Sequence, residues 1–251
     1  MADISRRSTG SQILASILVN TVYAMQNFPI MFVNAMLGPF GFLIVITFAS
    51  QGTLLGVAIE GAMVMTMVSA GMALQGDLSH LKNDMKFQDM IVSSPTPAFV
   101  YIIGMGVSEL IYYLPNIVVL SILMMAFVHP ALATAVAVGA VMLIMFAFAI
   151  ALSFLLSTLS SDIIQSWAFT GMVSTLLSTL PPVYYPITYI PLPWRYIAYL
   201  SPTTYAAEIA QAAAGFLSIS QANIVADWLV LLAATAIMLI VAARKTRWRE
   251  A

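Results

Sequence analysis

Two carboxylates interrupt otherwise apolar stretches: Glu60 in Leu55-Gly-Val-Ala-Ile-Glu-Gly-Ala-Met, and Glu109 in Met105-Gly-Val-Ser-Glu-Leu-Ile-Tyr. A charge at the middle of a bilayer costs about 2.5 kcal/mol or more on insertion scales, so such groups are expected to be buried against protein or water. Three uses fit them: polar lining of a cargo path, a proton relay in a secondary transporter, or a carboxyl hydrogen-bonded to a neighbouring helix. Other chemistry is poorly provided for. The two histidines, His80 and His129, are far apart and beside polar connections, and neither a His-Glu-x-x-His nor a Gly-x-Ser-x-Gly pattern occurs. Cysteine is absent, which removes thiolate metal sites, cysteine nucleophiles and disulfides together. Met63, Met65, Met67 and Met72 make an adaptable apolar surface, suited to core packing or to varied hydrophobic cargo. The sequence thus predicts no catalytic residue, metal site or bound cofactor on this chain.

The elements that hold these residues are set by composition. Of 251 residues, 61% are hydrophobic and only 8% charged, with a mean hydropathy of +0.97. A soluble domain carries about a quarter charged residues, so lipid must cover this surface. The net charge of −1, with cations in small scattered groups, excludes a nucleic-acid partner. No small-residue cleavage site follows a clean apolar run near Arg6 and Arg7, so no cleavable signal peptide is expected.

A span needs about 20 mostly apolar residues. Six such segments are expected, near 29–49, 54–76, 98–127, 131–157, 163–180 and 225–243. Lys and Arg accumulate on the cytoplasmic side, and six spans put Arg6, Arg7, Lys82, Lys86, Arg244, Lys245, Arg247 and Arg249 there together, leaving only Arg195 outside. Both termini are then cytoplasmic, as in a multi-pass protein of the plasma membrane. Ahead of the first span, residues 11–26 place Ile13, Leu14, Ile17, Leu18, Val22 and Met25 on one helical face, which reads as an interfacial helix or as an early start to the first span.

Two connections stand out. Residues 77–97 hold five of the nineteen charges, yet carry Met85, Phe87, Met90 and Ile91. This reads as a short amphipathic cytoplasmic helix ended by Ser93-Ser-Pro-Thr-Pro97, or as a solvated loop bearing the topogenic lysines. The external segment 181–215 holds six of twelve prolines and six of ten tyrosines. It cannot be one straight helix, and is too apolar for a free loop. Short helices that re-enter the outer leaflet against protein are expected, with an aromatic belt as the competing account.

Two stretches carry a family likeness: Ile91-Val-Ser-Ser-Pro-Thr-Pro-Ala-Phe-Val-Tyr-Ile-Ile-Gly104 at the entry to the third span, and Tyr185-Pro-Ile-Thr-Tyr-Ile-Pro-Leu-Pro-Trp-Arg-Tyr-Ile-Ala-Tyr-Leu-Ser-Pro-Thr-Thr-Tyr-Ala-Ala-Glu208. With the span order, they resemble the membrane-spanning permease subunits of type-2 ABC (ATP-binding cassette) exporters. The chain departs from that family at Asn83-Asp-Met-Lys-Phe87, where Glu, Arg and Gly are common, at Gly104-Met105, where Gly-Lys is common, and at Ser201, where Asn precedes Pro202.

The resemblance implies an all-α polytopic permease that works as a dimer, with a second copy of itself or a homologous permease. It also implies a separate ATPase subunit, carrying ATP and Mg, that docks on Asp84, Met85, Lys86, Phe87 and Met90. A gate of Tyr184, Tyr185, Tyr189 and Trp194 would cap a path lined by Glu60 and Glu109. No G-x-x-x-x-G-K-[ST] phosphate loop occurs in the chain, so nucleotide chemistry belongs to another one. The expected cargo is a lipid or hydrophobic small molecule. A proton-coupled secondary transporter using Glu60 and Glu109 is the alternative.

Overall fold

A computed structural model describes residues 30–83, 98–160 and 162–245. The interfacial-helix segment 11–26 and the docking residues Asp84, Met85, Lys86, Phe87 and Met90 lie outside the described residues. Among the described residues every regular element is helical: α1 Ile30–Ala49, α2 Leu55–Asn83, α3 Ala98–Phe127, α4 Leu132–Leu159, α5 Ile163–Thr179, a 3₁₀ turn at Ile187–Tyr189, α6 Arg195–Ala198, α7 Pro202–Ala213 and α8 Gln221–Lys245.

Helix forms at each of the six intervals expected to span. Four helices are long and apolar enough to cross a bilayer, over Leu55–Gly76, Gly104–Phe127, Leu132–Leu159 and Gln221–Lys245. The apolar part of α1, Val33–Ala49, is shorter, and the 17 residues of α5 reach only about 26 Å. Helix α2 runs on to Asn83, so the beginning of the 77–97 connection is helical.

The bundle is organised around α2, which packs against α1, α3, α4, α5 and α7, and whose Leu55–Gly76 stretch is 89% buried. Small residues make that burial possible, because without a hydrophobic drive between helices in lipid, close backbone approach supplies the packing energy. A Cβ on Gly71 would sit 2.4 Å from the Ala149 Cβ of α4, and the Ser153 hydroxyl donates across the same contact to the Gly71 carbonyl at 2.7 Å. One turn further along α2, Gln75 is clamped to α5. Its Nε2 donates to the Ser166 carbonyl at 3.1 Å, and its Oε1 accepts from the Thr170 hydroxyl at 2.8 Å. Pro39 within α1 has no N–H for the Ala35 carbonyl, and Asn116 of α3 donates to that carbonyl at 3.2 Å. A proline in one helix is thus matched by an amide in another.

Asp162 starts α5 by accepting the Gln165 N–H at 2.8 Å, an N-cap. The turn joining α1 to α2 needs left-handed backbone at Gln51 and Gly52. Prolines break 181–215 into short pieces as expected, and α7 begins with Pro202 at a position where the missing N–H is harmless.

Candidate functional site

The segment between α5 and α8 folds back onto the bundle at the end where the α1–α2 and α3–α4 turns lie. Its leading stretch, 182–185, presses into a notch on α2: a Cβ on Gly61 would stand 2.3 Å from the Val183 carbonyl oxygen and 3.1 Å from the Tyr184 Cα. Tyr184 is buried and stacks on Phe42 of α1, with ring centroids 5.2 Å apart at 19°. Since Gly61 lies six residues after Leu55, this stretch meets α2 about 9 Å below the helix start.

Helix α7 holds this stretch and the rest of the segment together through a buried polar face of Thr203, Thr204, Glu208 and Gln211. The Gln211 amide donates to the Pro182 and Tyr185 carbonyls at 3.4 and 3.5 Å, Thr203 to the Leu177 carbonyl at 3.0 Å, and Thr204 to the Ala198 carbonyl. Tyr205 donates to the Tyr199 carbonyl at 2.9 Å, and Arg195 ties the proline-rich turn by donating to the carbonyls of Thr188 and Ile190. Thr134 at the start of α4 donates to the Ala213 carbonyl at 2.7 Å, which anchors the far end of α7. The segment is a cross-braced unit.

The four aromatic residues expected at its gate divide into two pairs. Tyr184 is packed and Tyr185 half-buried, whereas Tyr189 is 64% and Trp194 63% exposed. The two intramembrane carboxylates also stand apart. Glu60 is 1% exposed, with neither carboxyl oxygen hydrogen-bonded among the described residues. It lies five residues into α2, and Glu109 is buried eighteen residues before the end of the antiparallel α3, so their depths differ by roughly 20 Å. Each sits little more than a turn inside an opposite end of the Leu55–Gly76 and Gly104–Phe127 spans.

Sequence reasoning missed a second acidic pair. Glu208 of α7 and Asp227 of α8 are 5% and 6% exposed, on helices that pack together, and the Tyr199 hydroxyl donates to Glu208 Oε1 at 3.0 Å. Burial first, and then the charge of Asp227, push the Glu208 carboxyl up to about 7, while burial and Glu208 push the Tyr199 hydroxyl up to about 12. Two signals were available: the Thr204, Glu208, Gln211 spacing on one helical face, and an aspartate in the apolar run of the last span.

The family model for the ABC-2 type transporter matches residues 29–214. The chain belongs to the ABC-2 type transporter family. The match begins at the head of α1 and ends just past α7, so the cross-braced segment is an integral part of the ABC-2 domain and α8 follows it. No curated protein sequence matches the chain. The chain is therefore a membrane permease of ABC type, a class of domain that generally works with a separate ATPase subunit.

Proposed function

We propose that this ABC-2 permease is the transmembrane half of an ATP-driven exporter in the plasma membrane. It spans six times with both termini in the cytoplasm. It moves a lipid or hydrophobic small molecule, and takes its power from a separate ATP-binding subunit that carries ATP and Mg. The observation that carries the reading is the ABC-2 domain itself, in a chain without a phosphate-binding loop. In this reading α1 and α5 supply the two remaining spans, short ones that meet a second permease, either another copy or a homologue. Support comes from α5, which leaves Trp167, Ala168, Gly171, Met172, Thr175 and Thr179 exposed. That face mixes small and polar groups in the way helix–helix contacts in membranes do. The segment 181–215 is then the external cap: the depth at which Val183 meets Gly61 supports re-entry, and the bracing by α7 supports movement as one body.

The test is co-purification of the tagged permease from its host, then inverted vesicles in which a fluorescent lipid is accumulated on adding ATP. A bound ATPase and ATP-dependent accumulation are expected; permease that purifies without an ATPase and transports without ATP would refute the reading. A proton-coupled transporter is favoured by one observation, the buried and unpaired Glu60 carboxyl. The roughly 20 Å between the levels of Glu60 and Glu109 rules out direct proton transfer between them and weighs against that alternative.

A further inference from the structure

A cavity of about 410 Å³ lies between α2, α3 and α4, with neither Glu60 nor Glu109 in its lining. This is within the size range of small-ligand sites. Its inner walls are thioether and aliphatic: Met63 and Met67 from α2, Met124 from α3, and Val138 and Met142 from α4. The one hydroxyl in the lining is that of Ser121. No ion or polar headgroup would find a partner there, and flexible methionines conform to a chain of variable shape.

Its dimensions follow from the helices. On α3 the lining extends from Ile117 to Met125, near the helix end at Phe127, and on α4 from near the start at Leu132 to Leu143. Nine residues of lining on each helix make each wall about 13 Å deep, a little under half of a hydrocarbon core of about 30 Å. With the α3–α4 turn at the membrane surface, the cavity would reach from that turn to about mid-bilayer. It opens sideways past Met125 and Leu143, which are exposed, and between Ile122 and Val136, which are exposed on the lipid-facing sides of the same two helices. The mouth is continuous with the surface that meets acyl chains.

We propose that this cavity binds one acyl chain of a membrane lipid, taken from the leaflet into which the α3–α4 turn projects. The chain lies along α3 and α4 with its terminal methyl against Met63 and Met67, and its headgroup stays at the level of the turn. The inference requires only that the bundle stands in a bilayer, and holds whether or not the permease is ATP-driven.

Gly139 provides the test. It lines the cavity, and a Cβ there meets nothing within 4 Å, so a larger side chain can occupy the space without displacing a helix. The full chain is reconstituted in phosphatidylcholine–phosphatidylglycerol vesicles containing a trace of phosphatidylcholine with a mid-chain diazirine, irradiated, and its adducts mapped by peptide mass. Adducts are expected to concentrate on Met124 and Met142 over the lipid-facing Leu229 and Ile237 of α8. Gly139→Leu, which displaces about two methylenes of bound chain, should lower cavity labelling about tenfold. Ala135→Leu at the mouth should lower it too, and Ala233→Leu, on the exposed face of α8, should not. Labelling spread evenly over α3, α4 and α8, or unchanged by both cavity variants, would overturn the proposal. So would displacement of the label by free oleate but not by excess phosphatidylcholine, which would make the ligand a fatty acid. A disulfide between two copies of a Met125→Cys permease, formed on mild oxidation in place of lipid adducts at the cavity, would show that a second copy covers the mouth.

Discussion

Gly61→Ala is a test of how the cap is seated. Its new methyl would lie 2.3 Å from the Val183 carbonyl oxygen and 2.9 Å from the Val183 carbonyl carbon, so a backbone, not a yielding side-chain tip, must retreat by roughly 1 Å to reach ordinary contact. Overpacking of this kind costs about 1–3 kcal/mol, and shifting Tyr184 also loosens its stack on Phe42, worth about 0.5–1.5 kcal/mol. The better helix propensity of alanine offsets about 1 kcal/mol, but it does so equally with the cap seated or displaced. The seated state should therefore lose about 1.5–4.5 kcal/mol, which is at least tenfold in its population relative to the displaced state. The assay uses the absence of native cysteine: Val183→Cys is a unique thiol at a fully buried position, and its maleimide labelling rate reports cap displacement. The rate should rise at least tenfold when Gly61→Ala is added. Gly71→Ala, an equal clash placed between α2 and α4, should lower resistance to denaturing detergent without raising that rate. An unchanged Val183→Cys rate in the Gly61→Ala protein would refute the seating argument.

Three further outcomes are expected. Cysteines introduced at Ala2 and Ala251 should resist an impermeant reagent in intact cells while one at Ser218 reacts; labelling of either terminus would sink the six-span arrangement. Phe87→Ala should lose ATPase association, by about 2 kcal/mol or more if the ring is a buried anchor, with normal membrane insertion; unchanged co-purification would return 77–97 to a solvated loop. Because Glu208 is held up at about 7, its folded form keeps a proton that the unfolded chain releases near 4.5. Its contribution to stability is complete below the unfolded value and is lost as pH rises through about 7. Glu208→Gln should flatten the fall in cap stability across that window, read as Val183→Cys labelling between pH 5 and 8, and an unaltered slope would show that Glu208 is not its source.

What the sequence made legible was whatever depended on a single segment. Apolar length placed helix at all six intervals, with α1 and α4 beginning within a residue of expectation, and the prolines of 181–215 foretold short pieces joined by turns. The central position of α2 was not legible, because its composition differs little from that of its neighbours. What sets it apart is where Gly61 and Gly71 fall against Val183 and Ala149, a relation between segments far apart in the chain. The match between Pro39 and Asn116 was hidden for the same reason.

The site was legible in kind and not in arrangement. Aromatic residues marked the 181–215 segment, but a tyrosine's burial depends on what faces it: Phe42 and α2 cover Tyr184, while Tyr189 and Trp194, of equally suitable type, remain exposed. Glu208 and Asp227 illustrate the opposite failure. Each has its own signal in the sequence, a polar helical face for Glu208 and an apolar run around Asp227, but only the packing of α7 on α8 turns them into a buried pair. That packing joins the cap, through α7, to the last span, while Val183 and Tyr184 join it to α2 and α1. A rigid unit held on both sides can be displaced only if one set of contacts yields first. The contacts at Gly61 are close-packed, whereas the Glu208–Asp227 contact sets two carboxyl groups against each other, so protons and charge act there directly.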